Sequence, residues 1–198
     1  MIKNPIPKVT NQKQFRAIGI VLGTYKPLMS DCLNKGFLKD INGFDIDAVV
    51  LGKALPLIKK SINLEKQYYW IVYPRNKNSD NLHFQIAGIW DPNNFDVSHE
   101  NNIKKTDSLL HSLDLKNNLF SIRGKLVYVN ISQKELIIKI CISKPNKNLK
   151  NKSFKVLVKG NIPMSFLNSF ISIVATRKNN TLFMDDFEII EEKLSAIE

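Results

Sequence analysis

The chain has 198 residues, with 29 Lys+Arg against 18 Asp+Glu and a formal net charge of +11. That length holds one ordinary domain or two small ones, and 43% hydrophobic residues suffice for a core, which excludes a disordered chain. No apolar run reaches the ~18 residues of a membrane-spanning helix.

Met1 to Gln14 is a polar arm with two prolines and no secretory-signal pattern. Arg16 to Tyr25 then reads as a long first strand, with Gly19 and Gly23 as bends. Gly36 to Ile41 is a short second strand and Phe44 to Leu51 a third. Ala54 to Asn63 has helical spacing, and Tyr68 to Tyr73 and Leu82 to Trp90 are strands four and five. Asp91 to Asn117 is rich in Asn, Asp and Ser and reads as a linker, with a short helix expected over Thr106 to Leu113.

The second half runs through the same series. Phe120 to Ile131 is β-rich around Gly124, and Glu135 to Ile142 alternates, with Leu136, Ile138, Ile140 and Ile142 on one side. Phe154 to Lys159 alternates too, and Ile162 to Leu167 is a turn or helical stub. Phe170 to Arg177 and Leu182 to Ile190 form a hairpin around Lys178-Asn179-Asn180. Glu188 to Glu198 is acidic and reads as a solubilising tail or a short helix competing for a basic face.

Four segments recur in one order. Phe15-Arg16-Ala17-Ile18-Gly19 matches Phe120-Ser121-Ile122-Arg123-Gly124, and Leu55-Pro56-Leu57 matches Ile162-Pro163-Met164. Ile71-Val72-Tyr73-Pro74-Arg75 matches Ile173-Val174-Ala175-Thr176-Arg177, and Ile89-Trp90 matches Ile189-Ile190. Such order argues for a duplicated unit. Three strands, a connection and two more strands, led by a long bent strand, is the pattern of an OB-fold. The expected fold is mainly all-β, with two tandem five-stranded OB-fold-like barrels, the first with a helix between strands three and four. An SH3-like barrel is the competing reading. The boundaries are an arm over 1–14, barrel 1 over 15–90, a linker over 91–117, barrel 2 over 118–192 and an acidic tail over 193–198.

Several of these stretches carry a resemblance. Phe15-Arg16-Ala17-Ile18-Gly19, Ile46-Asp47-Ala48-Val49-Val50-Leu51-Gly52, Trp70-Ile71-Val72-Tyr73-Pro74-Arg75, Leu82-His83-Phe84-Gln85-Ile86 and Phe120-Ser121-Ile122-Arg123-Gly124 resemble a family of cyanobacterial hypothetical proteins. The resemblance implies a cyanobacterial or plastid-like source and carries over no catalytic residue.

Charge position says more than charge total. Lysine outnumbers arginine 25 to 4, and Lys, Asn and Ile all have A/T-rich codons, so genomic bias inflates the basic count. Yet residues 118–184 hold 12 cations and a single acid, Glu135, whereas 185–198 hold six acids and one cation. Alternation turns Lys139, Lys155 and Lys159 outward from barrel 2, with Arg123 and Lys125 beside Gly124 and Lys144, Lys147, Lys150 and Lys152 in the next loop. An OB barrel binds across strands two and three, and single-stranded nucleic acid needs cations for phosphate and flat groups for bases. The candidate nucleic-acid contacts are Arg123, Lys125, Tyr128, Lys139, Lys155, Lys159, Arg177 and Lys178, with Arg75 and Lys77 in barrel 1. The same lysines also fit a solvated strand face that guards against edge pairing. Phe183, Tyr25, Trp70, Tyr73 and Trp90 are further stacking candidates. Asp45 and Asp47 face outward from barrel 1 and would repel phosphate, so barrel 2 should dominate.

Enzyme readings find little support. His83, His99 and His111 have no ligand-spaced partners, Cys32 and Cys141 lie far apart, and no phosphate loop or nucleophile elbow occurs. Asp45-Ile46-Asp47 has no third metal ligand nearby. The expectation is a cytoplasmic, cofactor-free, non-catalytic protein binding single-stranded RNA or DNA, RNA favoured. It has no membrane role. The alternative is a protein-interaction adaptor acting through barrel 1.

Overall fold

A computed structural model describes residues 5–60, 62–76, 81–90, 117–142 and 152–192. Its strands are β1 (Arg16–Met29), β2 (Cys32–Asp40), β3 (Asp45–Val50), β4 (Tyr68–Asn76) and β5 (Leu82–Trp90), with α1 (Leu55–Lys60) after β3. Then come β6 (Leu119–Asn130), β7 (Glu135–Ile142), β8 (Lys152–Lys159), a 3-10 turn (Met164–Phe166), β9 (Phe170–Lys178) and β10 (Thr181–Glu191). The linker up to residue 116, its expected helix, His99, His111, Lys77, the loop lysines 144, 147 and 150, and the tail from 193 lie outside the described residues. Within the described part, Glu188 to Glu191 continue β10 as strand, not helix.

β1, β2, β3, β5 and β4 pair in that order and β4 returns to β1, closing a barrel with β3 and β5 parallel. That is OB topology. The second half repeats the order as β6, β7, β8, β10, β9 and back to β6. Its β8–β10 closure is a single parallel bridge, Lys159 opposite Phe183. The open stretch of β8 is protected from barrel 1, where Asn76 Oδ1 accepts the Leu157 N–H at 3.0 Å.

β1 and β2 are longer than the sequence pattern implied. Pro27 argues against strand there, but the register shifts between Pro27 and Met29, and a bulge accommodates a residue with no N–H. Gly36 lets the chain pass, because a Cβ there would lie 2.2 Å from the Lys26 carbonyl oxygen.

The two barrels are joined in one sheet. β1 pairs antiparallel with β6, and Ala17 faces Ile122, its counterpart in the first repeat match. Phe120 of barrel 2 covers Gly19 and stacks on Phe84 of barrel 1 at 5.7 Å. A single apolar cluster therefore runs from Val21 and Trp70 to Ile138 and Ile173. The third repeat match is displaced by one residue. Ile173 is in that core, whereas Ile71 packs outside barrel 1 against Ile20, Leu22, Tyr69 and Trp90. A one-residue slip exchanges the faces of a strand, so the core counterparts of Ile173 are Trp70 and Val72.

Candidate nucleic-acid interface

The cationic face comes from alternation plus register. Leu126, Ile138 and Val156 are fully buried, so their neighbours Lys125, Lys139 and Lys155 point out of barrel 2. Register sets Lys125 opposite Lys139 and Lys139 opposite Lys155, making one row across β6, β7 and β8. Lys125 and Lys155 are exposed, and Lys139 is half-buried between them. A bulge after Leu126 brings Tyr128 opposite Ile137, which faces Leu157 in the next row. Tyr128 is 42% exposed, so a ring lies open beside the cations. The following row runs Asn130, Glu135, Lys159 and Phe183.

Lys159 is not a free cation. Its ammonium lies 2.7 Å from Glu135, the one acid in the basic stretch. Lys178 is exposed and sits 5.8 Å from the Phe183 ring, which is itself 39% exposed. That pair extends the platform beyond Lys159. A cavity of about 290 Å³ opens at the same end, lined by Asn76, Glu135, Leu157, Lys159 and Thr181.

The arginines depart from the sequence expectation. Arg177 is 2% exposed and donates to Asp40 at 2.5 Å and to Asn118 Oδ1 at 2.7 Å. Burial disfavours the Asp40 carboxylate, but hydrogen bonds from Arg177 and the Phe44 N–H outweigh it and hold the pKa below its ordinary value. This ion pair joins β9 to β2, so Arg177 is a clamp between barrels and not a phosphate contact. Arg75 also crosses the seam, with its guanidinium 3.6 Å from the centre of the Phe154 ring. Burial lowers its pKa to about 10. Arg123 shares the outward face of Lys125 but is only 6% exposed, beneath the arm, where it donates to the Gln12 carbonyl. Alternation sets Arg123 on the face of Lys125 but Arg177 on the side of the buried Ile173 and Ala175, and it does not show the arm or the second barrel that covers them.

The barrel 1 aromatics are likewise structural. Tyr25, Trp70 and Trp90 are buried, and the Trp70 N–H donates to the Gly23 carbonyl at 2.9 Å. Tyr73 is half-buried, with the Arg75 guanidinium 6.0 Å from its ring. On the corresponding outer face of barrel 1, Asp45 faces Lys39, while Phe37 stands between Lys26 and Asp47. Phe37 was missed by the sequence reading; the alternation of Gly36, Leu38 and Asp40 around it is the signal that finds it. The described residues contain no cluster of three metal-ligating side chains and no helix long and apolar enough to cross a membrane.

A family model described as the PatR RNA-binding protein, N-terminal OB-fold domain, matches residues 17–97. Another, described as a cyanobacterial OB-fold-like RNA-binding domain, C-terminal, matches residues 122–191. A comparison with curated proteins gives no match. The two models fall on the two barrels in chain order, and the chain belongs to this tandem OB-fold family of cyanobacterial RNA-binding proteins.

Proposed function

We propose that the chain is a non-catalytic binder of single-stranded RNA whose main contact is the outer face of β6, β7 and β8. Phosphates lie along Lys125, Lys139 and Lys155, and bases stack on Tyr128 and on Phe183 beside Lys178. The observation that carries this reading is the lysine row. Like charges directly opposite in a sheet destabilise it, and an anion laid along them removes that cost. Tyr128 and Ile137 in the next row supply the flat apolar floor that bases need. Barrel 1 contributes little phosphate binding, because its Asp45 stands where barrel 2 has Lys155 and Asp47 adds a second carboxylate in the next row. No observation favours a protein partner at barrel 1.

Fluorescence anisotropy with labelled single-stranded RNA, single-stranded DNA and duplex across a salt series tests the reading. Tight, salt-sensitive binding that prefers single strands is expected. Equal, weak binding to all three that vanishes by physiological salt would overturn it.

A further inference from the structure

All four arginines of the chain lie at the seam between the barrels, although lysines outnumber them 25 to 4. Arg177 has Asp40 and Arg75 has Phe154. Arg16 and Arg123 have no such partner of opposite charge or aromatic ring among the described residues. They stand directly opposite in the β1–β6 ladder, which brings their Cβ atoms to about 5 Å. Neither is ion-paired among the described residues. Their acceptors among the described residues are neutral: Arg16 donates to Ser121 Oγ at 2.7 Å and to the Pro7 carbonyl at 2.6 Å, and Arg123 to the Gln12 carbonyl at 2.6 Å. The Nε of each is buried and makes no hydrogen bond among the described residues. Burial first, and the charge of Arg123 second, lower the pKa of Arg16. The pair thus faces the cost of desolvation and of repulsion with no counter-charge among the described residues.

The position of the pair matters. Arg123 precedes Lys125 by two residues on the same outward face, a step of about 7 Å along the strand. The arginines therefore form a second cationic row beside the lysine row, one step along β6 and reaching across the seam to β1. What covers them is the arm. Phe15 packs edge-on against Phe170 at 5.0 Å, and Lys13 meets Glu191 at 2.6 Å with side chains 61% and 50% exposed. Exposed ion pairs of this kind hold weakly. Two main-chain carbonyls occupy guanidinium forks that bind phosphate oxygens more strongly, through charge-assisted bonds.

We propose that Arg16 and Arg123 form a second phosphate subsite of the RNA track, and that residues 5–15 are a strap that covers it until a phosphodiester replaces the Pro7 and Gln12 carbonyls. The inference rests on the lysine face being the RNA site.

The test uses the full chain and a fluorescein-labelled oligouridylate. Arg16→Gln should lower the salt slope of binding by about 0.7, one phosphate on a single strand, and Arg16→Lys should keep most of it. Phe15→Ala loosens the strap without changing charge, and binding should tighten about two- to fivefold as the covered fraction falls. Amide hydrogen exchange over residues 5–14 should accelerate when the oligonucleotide is bound. Slowed or unchanged exchange there would overturn the strap. An unchanged slope in Arg16→Gln, while loss of the lysine row still weakens binding, would overturn the subsite and leave the lysine face standing. Undiminished binding without the lysine row would instead remove the reading on which the inference rests.

Discussion

Replacing Lys125, Lys139 and Lys155 together by alanine should change binding and stability in opposite directions. If each lysine neutralises one phosphate, three contacts on a single strand contribute about 2 to the slope of log affinity against log salt. Over a fourfold rise in salt, from about 50 to 200 mM, that share amounts to about 20-fold in affinity. The variant should lose that sensitivity and bind weakly even at low salt. Its fold should not suffer. Lys139 stands opposite a lysine on both sides, and cross-strand charge pairs are worth about 0.2–1 kcal/mol each. Removing both repulsions leaves stability unchanged or raises it by about 1 kcal/mol, since Lys and Ala are similarly poor strand formers.

Salt-titrated anisotropy and urea denaturation on the same preparation read the two effects. A loss of more than about 2 kcal/mol would mean the lysine stems hold the barrel together. An unchanged slope would place the phosphates elsewhere. Lys159→Ala is the internal control. It breaks a partly exposed pair with Glu135, which costs about 1 kcal/mol or less, and should barely move the slope.

Three further outcomes are expected. Asp40→Asn leaves Arg177 buried without its counter-charge and should cost about 3–5 kcal/mol in urea denaturation at neutral pH. Because the folded pKa of Asp40 is lowered, its contribution is full above the unfolded pKa of about 3.9 and is lost as pH falls through the folded value; the variant should lack that acid step. Burial first, and the charge of Cys32 second, raise Tyr25 to about 12, so the unfolded chain ionises first and stability should fall as pH rises from about 10 towards 12. Tyr25→Phe should flatten that alkaline loss while costing about 1 kcal/mol at neutral pH for the hydrogen bond to the Leu33 carbonyl. Tyr128→Ala should weaken oligonucleotide binding by about 1–3 kcal/mol and Tyr128→Phe much less, if the ring acts by stacking; equal losses would point to its hydroxyl.

Strand faces were legible because one side of each strand is apolar. Glu135 to Ile142 and Leu82 to Trp90 were bounded correctly, and the lysines of β7 and β8 followed from the same alternation. The limits of that signal are equally physical. Periodicity tells which way Arg123 and Arg177 point, but not that the arm or a second barrel lies there. Arg177 required Asp40, separated from it by 137 positions, to be read as a buried ion pair. Pro27 hid the last four residues of β1, Lys26 to Met29, because its bulge has no local signature. Lys159 and Lys155 look alike in sequence; only the cross-strand register assigns Glu135 to Lys159 and Lys139 to Lys155.

The net charge of +11 is therefore a poor guide to what this chain binds. Both barrels have one topology, so fold alone gives them equal claim to a ligand. The difference lies in a few register positions. In barrel 1 the row from β1 through β2 to β3 reads Thr24, Lys39, Asp45, and the next reads Lys26, Phe37, Asp47. Each cation there has a carboxylate in its own row. In barrel 2 the corresponding strands read Lys125, Lys139, Lys155, then Tyr128, Ile137, Leu157. Apart from Glu135, which pairs with Lys159, the carboxylates on the described strands of that half, Asp185, Asp186, Glu188 and Glu191, are carried on β10. Codon bias raises lysine everywhere, but it cannot separate lysines from carboxylates strand by strand. That separation gives barrel 2 a field that captures a polyanion, and the same field makes the arginine pair beneath the arm its natural extension.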